Sequence, residues 1–100
     1  MPYFMFFGLD GPHGQAIRGR VREAHRAYLK IPQPGCRIAA AGVLVDDDGE
    51  AMNGTLLIFE ADDRDAVERF MAGDPYMVES LFARTDIRRW NWTIGAPPPA

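Results

Sequence analysis

Tyr3 to Gly8 is an unbroken aromatic and apolar run closed by the turn-forming cluster Asp10-Gly11-Pro12, and it predicts a first strand. From Gln15 to Leu29 the period changes. Ile17, Val21, Ala24 and Tyr28 recur at steps of four, three and four, the stripe of one helix about four turns long, with arginines on its other faces. Pro32, Pro34 and Gly35 stop that helix, because proline lacks a backbone donor and clashes with the preceding turn. Cys36 to Val45 is small and apolar, Asp47-Asp48-Gly49 is a turn signal, and Thr55 to Phe59 is a β-branched and aromatic run, so the middle of the chain predicts an antiparallel hairpin.

Asp62 or Asp63 is placed to cap a second helix whose apolar stripe is Ala66, Val67, Phe70 and Met71 and which ends at Gly73-Asp74-Pro75. A short helical turn over Tyr76 to Leu81 leads to a predicted final strand, Ile87 to Ile94. There Arg89, Asn91 and Thr93 alternate with Arg88, Trp90, Trp92 and Ile94. The order strand, helix, two strands, helix, strand is that of the ferredoxin-like split unit, an α+β fold with an antiparallel sheet and both helices on one face. Residues 1 to 95 then form a single domain, and 96 to 100 a proline-rich tail.

Several strands put apolar residues on both sides, Phe4 and Phe6 against Tyr3, Met5 and Phe7, for example. One face is covered by helices, and a chain of 100 residues has no element left for the other, so a second copy is expected to cover it as a two-fold homodimer.

Composition narrows the classes of function. A formal charge of -3 argues against nucleic acid, and Thr55-Leu56-Leu57-Ile58-Phe59 lacks the basic and aromatic alternation of RNA-binding sheets with this strand order. No apolar run approaches the roughly 20 residues of a membrane span, and Pro2 to Phe7 lacks the flanks of a signal peptide, so a cytoplasmic protein is expected. One cysteine and two histidines offer no zinc-ligand spacing, and neither a dinucleotide nor a phosphate loop is present; no metal and no cofactor are expected. The charge is uneven. Residues 1 to 30 hold Arg18, Arg20, Arg22, Arg26 and Lys30 against Asp10 and Glu23, a basic helix able to attract an anionic ligand.

His25 follows Ala24 at the edge of the first helix's stripe, where its ring looks along the boundary between core and solvent. By itself a helical histidine is more often a packing residue, and an aspartate between Gly73 and Pro75 is ordinarily a turn or cap residue. Brought together, an imidazole held by a carboxylate has a fixed tautomer and serves as a general base. Ser80 is the only serine and has no nucleophile elbow, and Cys36 has no activating neighbour, so neither predicts a nucleophile.

Arg22-Glu23-Ala24-His25 followed by Tyr28-Leu29, the glycine-bearing strand Ala41-Gly42-Val43-Leu44, Asn53-Gly54-Thr55, and Ala72-Gly73-Asp74-Pro75-Tyr76 occur in the order of the YciI-like family. The chain resembles that family from Tyr3 to about Trp92. It departs at Arg26, where leucine is usual, and at Val43, where proline often follows the strand glycine. The resemblance implies a dimeric α+β barrel of ferredoxin-like units with a catalytic His25/Asp74 pair. Arg22 or Arg18 would hold an anionic group, with Tyr76 and Trp90 as walls. The expected function is a small cofactor-independent enzyme working by acid–base chemistry on a small organic substrate, aromatic or anionic. A ligand-binding or accessory dimer without catalysis is the alternative, and a cofactor-free monooxygenase a third by fold analogy alone.

Overall fold

The computed structural model describes residues 1–95, so the proline-rich tail at 96–100 lies outside the described residues. Strand β1 (Tyr3–Asp10) leads into helix α1 (Gly14–Leu29), the hairpin β2 (Cys36–Val45) and β3 (Met52–Ala61), helices α2 (Arg64–Ala72) and α3 (Pro75–Val78), and strand β4 (Phe82–Trp90). The four strands form one antiparallel sheet in the order β2-β3-β1-β4, which is the predicted split arrangement. At the hairpin turn Gly49 takes a left-handed φ of 79° and its N–H donates to Asp46 O, the conformation for which a glycine is favoured.

Alternation along β1 and β3 sorts the side chains. Phe4, Phe6, Leu57 and Phe59 point to the helices and, with Val67, Phe70 and Met71 of α2, make the core. Phe70 sits edge-on to Phe59 and Tyr28, at 5.2 and 5.1 Å between ring centres. Asp63 caps α2, accepting from Ala66 N–H at 2.9 Å. The opposite face carries Tyr3, Met5, Phe7, Leu56 and Ile58, and no element of the described chain covers it.

The last strand differs from its predicted span of 87–94. Tyr3 opens β1 and pairs with Trp90, so β4 has no partner strand beyond that residue, while Phe82 to Asp86 pair with Asp10 to Phe7. Ala83, Arg84 and Thr85 look unlike a strand in sequence because they lie exposed on an edge. Gly8 marks where β4 closes over the sheet: a Cβ there would meet the Phe82 ring at 2.6 Å.

α3 ends in a Schellman turn. Leu81 N–H donates to Tyr76 O at 2.9 Å and Ser80 N–H to Met77 O at 3.1 Å, with Ser80 at φ 57° in the left-handed position. Leu81 packs against Tyr76, the apolar contact that accompanies this motif.

Candidate functional site

The face of α1 that packs inward is not quite the stripe that hydropathy picks out. Ala24 is exposed, and Arg18 and His25, seven residues apart, occupy inward positions with Ile17 beside them. Two polar side chains on a packed helix face must find partners, and each does.

Arg18 is 1% exposed. Its Nε and Nη2 donate to the two carboxylate oxygens of Asp10 at 2.7 and 2.9 Å, and Nη2 also reaches Gly54 O at 2.9 Å and Thr55 Oγ1 at 3.0 Å. Burial opposes the charge on the guanidinium; the hydrogen bonds and charge of Asp10 more than offset it, and the pKa is raised. Arg18 also lies over the ring of Tyr76, 5.1 Å from its centre.

His25 is 7% exposed and Asp74 fully buried. His25 Nδ1 lies 2.7 Å from Asp74 Oδ1, and the same oxygen accepts from Tyr76 N–H at 3.0 Å, capping α3. The cap role and the histidine contact therefore coexist in one carboxylate. The imidazole stacks on Tyr76 at 3.8 Å and 14° between planes. Seven residues of helix rise about 10.5 Å, and the Tyr76 ring occupies the interval between Arg18 and His25. Burial pushes the Tyr76 phenol above its usual pKa, and the charges of Arg18 and Arg22 pull against that shift.

A cavity of about 290 Å³ opens beside this cluster, between α1 and the β2–β3 half of the sheet. α1 supplies Arg22, His25, Arg26 and Leu29; the sheet supplies Ala41, Val43, Thr55 and Leu57; Tyr76 completes the wall. Among the described residues no hydrogen bond engages His25 Nε2. The strand residues reach the cavity through an irregularity in β2. Ile38 pairs with Phe59 and Ala40 with Ile58, so Ala39 is an extra residue that resets the alternation and turns Ala41 and Val43 toward α1.

The structure thus brings His25, Asp74, Tyr76 and Arg22 together and leaves two expected residues apart. Arg18 is not in the cavity wall because Asp10, Gly54 and Thr55 hold it inside the fold. Trp90 pairs with Tyr3 on the uncovered face of the sheet and packs against Tyr3 and Trp92, at 6.5 and 5.0 Å between ring centres, away from the helices. Sequence reasoning missed Asp10 as the partner of Arg18. It also missed Ala41 and Val43, whose placement depends on a bulge inside an alanine run that carries no sequence mark. Among the described residues no cluster of three or more metal-ligating side chains occurs, and no helix is long and apolar enough to cross a membrane.

A family model of the YCII-related domain matches residues 2–91. The chain belongs to the YCII-related domain family. Among solved structures it is similar to 5-chloro-2-hydroxyhydroquinone dehydrochlorinase (TftG) from Burkholderia phenoliruptrix AC1100, determined in complex with 2,5-dihydroxybenzoquinone. The two are 31% identical, with a TM-score of 0.76 over 89% of this chain and 93% of that one. It is also similar to SnoaB, a cofactor-independent oxygenase from Streptomyces nogalater, at 17% identity and a TM-score of 0.58 over 96% of this chain and 100% of that one, a likeness of fold alone. Among curated protein sequences none matches the chain.

Proposed function

We propose that this YCII-related protein is a small cofactor-independent enzyme in which His25 moves a proton on a small organic substrate bound between α1 and the sheet, and Asp74 orients it. The observation that carries the reading is the 2.7 Å contact between His25 Nδ1 and a buried Asp74 oxygen, beside a cavity of which His25 forms part of the wall. With a carboxylate as acceptor, Nδ1 holds the ring's proton and the lone pair stands on Nε2, the arrangement of a general base. A proton taken there makes an imidazolium, whose charge Asp74 offsets. The stacked Tyr76 ring fixes the imidazole plane.

The likeness to TftG supports chemistry on an oxygenated ring, since that protein is described as a dehydrochlorinase and was captured with a dihydroxybenzoquinone. Loss of hydrogen halide from such a ring balances with no oxidant once the ring takes its keto form, with hydrogen and halogen on one saturated carbon. A base takes the remaining hydroxyl proton, the O–H electrons shift through the ring to form the quinone's new C=O and C=C π bonds, and halide departs with its own pair. The uncovered sheet face, with Met5, Phe7 and Leu56, supports a homodimer as the working assembly.

The test is chloride release and quinone absorbance when the purified protein meets ring-chlorinated hydroxyhydroquinones. Turnover that falls about 10²–10⁴-fold in His25→Ala, the usual contribution of a positioned base, is the expected result. Ligand binding without turnover would replace the enzyme by a non-catalytic binding dimer.

A further inference from the structure

The four arginines of α1 meet different fates. Arg18 is paired with Asp10 inside the fold, and Arg20 pairs with Glu79 at 2.9 Å on the surface. Arg22 and Arg26 both line the cavity, and among the described residues neither has an ion-pair partner. No aspartate or glutamate is in the cavity wall, and the one carboxylate behind it, Asp74, is held by His25 and the α3 cap. The opposite wall, formed by Ala41, Val43, Thr55 and Leu57, is apolar but for one hydroxyl. A cation facing such a surface is screened less than one in open water, so its attraction for a ligand charge is larger.

Arg22 is half-buried, one turn before His25 on the same helix, and its charge reaches the phenol of Tyr76. The guanidinium is thus on the side of the helix where His25 and Tyr76 meet the cavity. Residues three apart on a helix are neighbours, about 5–6 Å between Cβ atoms. A single-ring molecule therefore spans them, its charged oxygens on the guanidinium fork and a neighbouring ring position at the imidazole.

We infer that the cavity selects a single-ring organic anion, carrying a carboxylate or an ionised enol or phenol, and that Arg22 sets this selectivity. The inference rests on the α1–sheet cavity being the substrate site and names the class of ligand it takes. The volume of about 290 Å³ accommodates one ring and its substituents, since an apolar cavity of about 150 Å³ already holds benzene.

Calorimetric titration with two matched pairs tests it: benzoate against benzamide, and 2,5-dihydroxybenzoquinone, ionised at neutral pH, against its dimethyl ether. The anion of each pair is expected to bind about 10–100-fold more tightly than its neutral partner, as for one charged hydrogen-bonded contact. Arg22→Gln should erase the preference, Arg22→Lys keep part of it, and Arg20→Gln leave it unchanged. Equal affinity for the neutral partners, no binding of either anion at millimolar concentration, or a preference that survives in Arg22→Gln overturns the inference. His25→Ala separates the two readings. Anion preference that persists there, without turnover in the wild type, sinks only the acid–base reading; His25-dependent turnover without anion preference sinks only this one.

Discussion

His25 and Asp74 are 49 residues apart in sequence, and a 2.7 Å contact joins them in the fold. Its existence depends on α3 as much as on α1, because the aspartate oxygen facing the imidazole also terminates the α3 backbone. Charge and structure are separable at this residue. Asp74→Asn retains an oxygen for both donors, removes the charge and puts an amide nitrogen in place of the second oxygen. It should lower turnover by a factor of about 10²–10⁴ with little change in melting temperature, because a neutral amide does not offset an imidazolium. Asp74→Ala orphans two donors in a buried site and should cost about 1–3 kcal/mol of stability as well. Equal melting temperatures for the two variants, measured by calorimetry, would mean that the carboxylate does not hold α3.

Arg18 should behave as a structural residue. Arg18→Met leaves Asp10 buried without its partner and should cost about 3–5 kcal/mol in denaturant unfolding. Adding Asp10→Asn should return part of that loss, because the unpaired charge goes with it. A stable Arg18→Met protein with weakened ligand binding would instead move Arg18 into the binding site.

The two faces of β3 predict opposite outcomes for neighbouring residues. Leu57 is 1% exposed under the helices, whereas Leu56 is 36% exposed on the uncovered face. Leu57→Asp should cost most of the stability of the fold, since a carboxylate replaces an apolar side chain packed in the core under the helices. Leu56→Asp should leave the fold intact and convert a dimer to a monomer by light scattering. A monomeric wild type at micromolar concentration would remove the second copy from this face.

Much of the fold was legible because hydropathy period and turn chemistry agree along most of the chain: the aromatic run of β1, the Asp47-Asp48-Gly49 turn, and the Ala66 to Met71 stripe all predict what is observed. The final strand was misplaced because its register is set by Tyr3 at the far end of the chain, a tertiary fact that no local window contains. The site divides in the same way. His25, Asp74, Arg22 and Tyr76 sit in motifs with a recognisable order, whereas the cavity floor depends on the bulge at Ala39. Arg18 looked like a ligand residue for want of any sequence sign that Asp10, across a turn, would claim it.

Ser80 holds a left-handed backbone without being glycine, at a cost of about 1–2 kcal/mol. Ser80→Gly should therefore stabilise the protein, by about 1 kcal/mol once the greater freedom of glycine in the unfolded chain is counted. An unchanged or lower unfolding midpoint would show that Ser80 makes a compensating interaction.

Cys36 begins β2 in the core beside Ala61 and predicts how stability falls in alkali. Burial pushes its thiol up from 9.0 to about 11; the charge of Arg69 pulls the other way and that of Asp62 adds a little to the rise. The folded protein therefore keeps the proton where the unfolded chain gives it up. The stabilisation from this thiol is complete below pH 9 and is lost as pH rises through about 11. Tyrosines titrate in the same range, so the informative quantity is the difference from Cys36→Ala, which lacks the group. Denaturant melts of both proteins should show the wild-type advantage shrinking across that window. At pH 8 a thiol reagent should modify Cys36 far more slowly in the native protein than in the unfolded one, since only the thiolate attacks. Parallel pH profiles for the two proteins, together with rapid native labelling, would mean that the thiol is not buried as the β2 pairing places it.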